Sequence, residues 1–297
     1  MTKPFRILCA VDASPPAAAA FEQALALSAH RDAQLIRVHA VSKGQRYSWG
    51  AVERVAALAA LRERAEALHV SVRVREQQGD TAGIILLHAR AQAPDLVVLG
   101  SHEPVGLARF RFRSIADRVV NGASCPVLLV PAAMTRVVPV FRSVVCAIDL
   151  SSRSSAMVTN VSRFVEDTGG LAFLHVLRLS RRRDVEHAAA PESSSVDALA
   201  ADQRLHSLVD SQDSESEVLV TVSSKPLDDE ILRVASERNA DLIALGEARR
   251  AGLHRWFMGS TALRVSRRSL LPVLVLPAIQ VKRDLSILDE AVLGWAT

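Results

Sequence analysis

The chain has 297 residues, of which 49% are apolar, 23% charged and 4% aromatic, and its formal net charge is +4. That length holds two ordinary domains, each with a full core, and the Ala-, Val- and Leu-rich composition suits α/β packing. No apolar run is long enough to span a bilayer and no signal-peptide core precedes the first apolar strand, so a cytoplasmic protein without a membrane partner is expected. The three cysteines, Cys9, Cys125 and Cys146, show no metal-ligand spacing, and no metal site is expected.

Phe5 to Val11 is an apolar run with β-branched residues, as in a parallel strand covered on both faces. After Asp12, Ser14 can cap a helix that begins with Pro15 and Pro16 and runs to about Ala29. A second strand follows over Gln34 to Val41 and a helix over Ala51 to Leu68. Val70 to Arg75 alternates apolar and basic residues, which places it near a sheet edge. Gly79-Asp80 opens a helix over Ala82 to Ala91. The strand Asp95 to Gly100, a helix over Ser114 to Asn121 and the strand Val127 to Val130 complete five strands. Alternating strands and helices with short joins predict βαβ units.

The order then repeats. Val144 to Asp149 copies Ile7 to Asp12 at an offset of 137, and Gly246 and Pro272 answer Gly100 and Pro126 at an offset of 146. A repeat of this length is a duplicated domain. The additional residues fall in Arg181 to Asp197, expected to be a mobile insertion before a helix over Val196 to Val209. Val218 to Val222 is the next strand and Asp228 to Arg238 the next helix. The domains are expected at 1–135 and 136–279, with a tail over 280–297 in which Leu285, Leu288 and Val292 share one helical face. Arginine clusters at Arg109–Arg113, Arg181–Arg183 and Arg249–Arg255 suit phosphates or a solvated face, and nucleic acid is not an expected partner.

The stretch from Asp241 to Pro277 carries the strongest chemistry: an apolar strand ending in Gly246, a basic loop, Gly259-Ser260-Thr261 at a helix entry, and a strand bounded by Pro272 and Pro277. Unpaired N–H groups and the macrodipole at such an entry favour an anion. Gly246 is expected to allow a sharp turn and Gly259 a close backbone approach to a ligand. No P-loop, dinucleotide fingerprint or hydrolase motif is present. His39 and His175, paired by the repeat, are expected to be satisfied core or strand-end residues.

Taken together, the first-strand aspartates, the fourth-strand glycines, the Gly-Ser helix entry and the proline-bounded fifth strands resemble the universal stress protein family in its tandem-domain form, from Lys3 to Pro277. The resemblance implies two flavodoxin-like (adenine-nucleotide alpha-hydrolase-like) α/β domains, each a five-stranded parallel sheet with helices on both faces. Their fifth strands would pack the halves into a pseudo-dimer, and a homodimer is left open.

It also implies an ATP site with a G-x-x-G-x9-G-[ST] pattern, and Mg²⁺ with the nucleotide. In the second half Gly246 and Gly259-Ser260 keep this pattern while Arg249 stands at the second glycine. The first half has Glu103 and Arg113 at the corresponding places, so ATP is expected in the second half only. Asp149 would lie near ribose or adenine, and Val176 would offer backbone atoms to adenine. Gly246, Arg249, Gly259, Ser260 and Thr261 would frame the phosphates. Asp12 and Asp149 could equally be turn formers. An interaction scaffold is the alternative function. Catalysis beyond weak ATP hydrolysis or autophosphorylation at Ser260 or Thr261 is not expected, since no general base or metal cluster accompanies Asp149.

Overall fold

The structure is a computed structural model that describes residues 4–12, 14–41, 51–101, 115–134, 136–151, 154–178, 191–210, 216–246 and 260–277. In the first half, β1 (Arg6–Ala10), α1 (Pro15–Arg31), β2 (Gln34–Val41), α2 (Ala51–Ala67) and β3 (Val72–Gln78) lead into α3 (Thr81–Gln92), β4 (Leu96–Ser101), α4 (Ile115–Gly122) and β5 (Val127–Pro131). The second half repeats the pattern with β6 (Phe141–Ala147), α5 (Ser154–Ser162), β7 (Val165–Arg178), α6 (Pro191–Asp210), β8 (Glu217–Ser223), α7 (Leu227–Glu237), β9 (Leu242–Gly246), α8 (Ser260–Arg268) and β10 (Val273–Leu276).

Local chemistry accounts for the boundaries. Ser14, in extended backbone, accepts a hydrogen bond from the Ala17 N–H, and two prolines occupy the first turn of α1, where their missing N–H groups cost nothing. Asp80 caps α3 by accepting from the Gly83 N–H at 2.8 Å. It follows Gly79, whose φ of +149° suits glycine. Pro191 opens α6. That helix therefore takes in the end of the stretch expected to be a mobile insertion, because a proline at the first helical position forgoes no intrahelical bond.

The strands form one sheet in the order β3-β2-β1-β4-β5-β10-β9-β6-β7-β8. All pairings are parallel except at the centre, where β5 meets β10 antiparallel with Leu128 opposite Leu274. Each half thus has the order 3-2-1-4-5, and the fifth strands join the halves. Along β1, Ile7 and Cys9 face α1 and α2 while Leu8 faces α3 and α4, the alternation of a sheet buried on both sides. The second half repeats this, with α5 and α6 on one face and α7 and α8 on the other. Burial pushes the Cys9 and Cys146 thiols far above their ordinary range, so both behave as small core hydrophobes.

Further contacts lock the halves on the α1 face. Gln23, fully buried, accepts from the Val138 N–H at 3.0 Å and donates to the Val138 carbonyl. The Phe5 and Phe164 rings meet edge to face at 6.3 Å, with the Arg31 guanidinium over both. No helix among the described residues is long and apolar enough to cross a membrane.

Candidate functional site

Parallel sheets of this kind take ligands beyond the carboxyl ends of the strands, where the strand order reverses. In the second half that point lies between β6 and β9, and a cavity of about 320 Å³ opens there, within the range of small-molecule pockets. Asp149 and Ser151 come from the segment after β6, His175 and Val176 from β7, Gly246 from β9 and Thr261 from the first turn of α8. Four of the sequence-derived site residues, Asp149, Val176, Gly246 and Thr261, therefore share one cavity. Ser260 begins α8, while Arg249 and Gly259 lie outside the described residues, as do Glu103, Arg113, the arginine clusters and the tail.

Asp149 has a positioning partner set. Its Oδ1 accepts from the Ser151 N–H at 3.0 Å and the Ser154 hydroxyl at 3.2 Å, an Asx turn that leads into α5. Asp12 accepts from the Ser14 N–H in the same manner. Asp149 nevertheless remains exposed toward the cavity. Between Asp149 and Ser151, Leu150 has a φ of +56°, which a branched apolar residue rarely adopts. The Arg204 guanidinium donates to its carbonyl.

The histidines behave as the repeat suggests. His175 Nδ1 lies 2.7 Å from the Ile148 carbonyl and His39 Nδ1 lies 2.8 Å from the Val11 carbonyl. A carbonyl only accepts, so Nδ1 carries the proton in both and Nε2 of a neutral ring is the acceptor. Gly246 departs from the turn expected of it. It is the last residue of β9, paired with Leu276, and Gly79 is the one described glycine with φ in the left-handed region. What Gly246 provides is room, because a Cβ there would lie 3.1 Å from the Met157 sulfur.

Met157, Ser154, Leu227 and Ile231 complete the apolar and hydroxyl walls and were not singled out from sequence. Their signal is weak, since each sits on a helix whose facing partner is distant in the chain. Asp149 is the one fully charged side chain among the described lining residues. These walls offer apolar surface and hydroxyl groups to a small ligand, and any anionic portion would fall toward the α8 N-terminus. Among the described residues no cluster of three or more His, Cys, Asp or Glu could hold a metal ion.

The first half has a cavity of about 260 Å³ at the equivalent place, lined by Asp12, Gly100 and Ile115. Two features set it apart. Asp117, buried, stands in its wall, and α8 of the other half contributes Leu263, Ser266 and Arg267. Arg267 approaches Asp117 at 3.6 Å.

Comparison with known proteins agrees with this layout. A universal stress protein of Mycobacterium bovis is 27% identical over 224 residues, 73% of this chain and 75% of that protein. A universal stress protein of Methanocaldococcus jannaschii is 35% identical over 74 residues, 25% of this chain and 44% of that protein. The crystal structure of a universal stress protein from Archaeoglobus fulgidus has the same fold, with a TM-score of 0.65 at 17% identity over 92% of this chain and 98% of that one. A functionally unknown protein from Pseudomonas aeruginosa PAO1 has a TM-score of 0.63 at 17% identity, covering 92% of each chain. The model of the universal stress protein family matches twice, over residues 4–131 and 141–277. With both halves matched and joined through their fifth strands, this chain belongs to the universal stress protein family, in tandem form.

Proposed function

We propose that the protein serves a stress-response role by binding an adenine nucleotide, ATP, in its second-half cavity and not in its first. The supporting observation is the convergence of Asp149, Val176, Gly246 and Thr261 on one cavity at the switch point between β6 and β9. Adenine would lie against the apolar walls near the Val176 backbone, and ribose hydroxyls would donate to Asp149. The phosphates would extend to the N–H groups at the start of α8, with Gly259, Ser260 and Arg249 around them and Mg²⁺ carried by the phosphate oxygens. In the first half, Glu103 and Arg113 stand where the pattern has its second and third glycines, which counts against close approach of a polyanion.

A scaffold that recognises another protein without nucleotide is the second reading. It draws on the absence of a cationic side chain among the described lining residues of the second-half cavity. Denaturing the purified protein and identifying released small molecules by mass spectrometry separates the two. Adenine nucleotide is expected from the wild type and not from Gly259→Asp, in which a carboxylate opposes the phosphates. A wild type that releases none and shows no calorimetric response to millimolar ATP would rule out the nucleotide reading.

A further inference from the structure

Position 37 marks a difference between the halves that the nucleotide site does not explain. Arg37 pairs with Cys9 across β1 and β2, and Phe173 pairs with Cys146 across β6 and β7. The two positions are equivalent, and both are buried, at 7% and 0% exposure. The fold therefore accepts an aromatic side chain where the first half carries a guanidinium. Enclosing an arginine is costly unless its donors are met.

They are met only in part. Arg37 Nη1 donates to the Leu58 carbonyl of α2 at 3.0 Å, whereas its Nε is buried with no hydrogen-bond partner among the described residues. The side chain borders a cavity of about 300 Å³ between α1, α2 and the β2–β3 edge. Phe21, Val70, Val72 and Val74 give this cavity apolar walls, and Arg62 and Glu66 stand at its mouth. That last pair is closed on itself at 2.8 Å and exposed.

We propose that this cavity binds a small monocarboxylate with a short apolar tail, its carboxylate on the Arg37 guanidinium and its tail along Val72 and Val74. The planar fork of a guanidinium matches a carboxylate. The charge of Glu76, which acts on Arg37, repels a dianion such as sulfate more strongly than a monoanion. The valine walls reward a hydrocarbon tail in proportion to the area it covers.

Calorimetric titration of the full chain with hexanoate, with sulfate and chloride as controls, tests this. Saturable one-site binding of hexanoate is expected, weakened at least about tenfold in Arg37→Phe, which copies the second half. Val74→Trp, at a partly exposed wall position, keeps the arginine but narrows the cavity. It is expected to weaken binding similarly, and it decides the matter if Arg37→Phe does not fold. The proposal is overturned if hexanoate does not saturate, if the variants bind it as the wild type does, or if sulfate and chloride compete equally, which would mark an adventitious ion only.

Discussion

A Cβ on Gly100 would lie 2.4 Å from the carbonyl carbon and oxygen of Pro16, whereas one on Gly246 would meet the Met157 sulfur at 3.1 Å. The sequence presents these glycines as copies, yet their surroundings differ in kind. At Gly100 the obstacle is the backbone of the first turn of α1, which cannot withdraw without moving the helix. At Gly246 it is the far end of a flexible side chain. Gly100→Ala is therefore expected to cost about 3 kcal/mol or more, at the upper end for overpacking. Gly246→Ala should stay within about 1 kcal/mol of wild type, since alanine also recovers chain entropy in a strand. Urea unfolding midpoints of the two variants check this, and equal losses would contradict it. Asp149 was legible both as a ligand contact and as a turn former, and the Asx geometry shows that the turn role is real. Arg37 was invisible as chemistry, because a single charge inside the apolar run of β2 does not announce which face it occupies.

At the scale of elements, α4 and α8 are each fastened to the preceding helix or its cap by ion pairs. Arg118 of α4 holds Asp80, the cap of α3, at 2.6 Å, and Arg264 and Arg268 of α8 hold Asp228 of α7 at 2.7 and 2.6 Å. Burial raises the Asp228 pKa, but hydrogen bonds from Arg264 and Arg268 outweigh it and the net shift is downward. Asp80 is lowered by its bond to Arg118 and Glu230 by its bond to Arg233. A folded-state pKa below the unfolded value contributes stability that is whole above the ordinary carboxylate range and lost as pH falls through the folded value. The thermal midpoint is accordingly expected to fall on acidification below about pH 4. Asp228→Asn should lower stability at neutral pH by about 1–3 kcal/mol and flatten that acid dependence. Thermal melts across this pH range would show it, and an unchanged profile in the variant would count against the fastening.

Much of the element order could be read from caps and periodicity. Ser14 with its two prolines, Gly79-Asp80 and the apolar runs of β1, β4, β5 and β9 all declare themselves locally. The length of β7 did not, because its pairing with β6 shifts register between Phe141 and Ser143, a slip that depends on the partner strand. Nor did the first turns of α6, hidden in a polar stretch opened by Pro191.

For the whole molecule, the antiparallel meeting of β5 and β10 turns two five-stranded sheets into one and buries edges that would otherwise be open to other chains. It also places α8 between the cavities: Thr261 and Ala262 line the second-half one, and Leu263, Ser266 and Arg267 wall the first-half one. The duplication was plain in the sequence, but this sharing was not, since it joins α8 to Asp117 of α4 across the interface between the halves. The two cavities follow one pattern, and both set hydroxyls and apolar walls around an aspartate; the one at Asp12 is smaller and has the Asp117–Arg267 pair in its wall. Calorimetric titration with ATP of the wild type, Asp149→Ala and Asp12→Ala tests this asymmetry most directly. One saturable site is expected in the wild type, weakened at least about tenfold by Asp149→Ala and unchanged by Asp12→Ala. Two sites, no site, or a loss that follows Asp12 instead would contradict the assignment of the nucleotide to the second half.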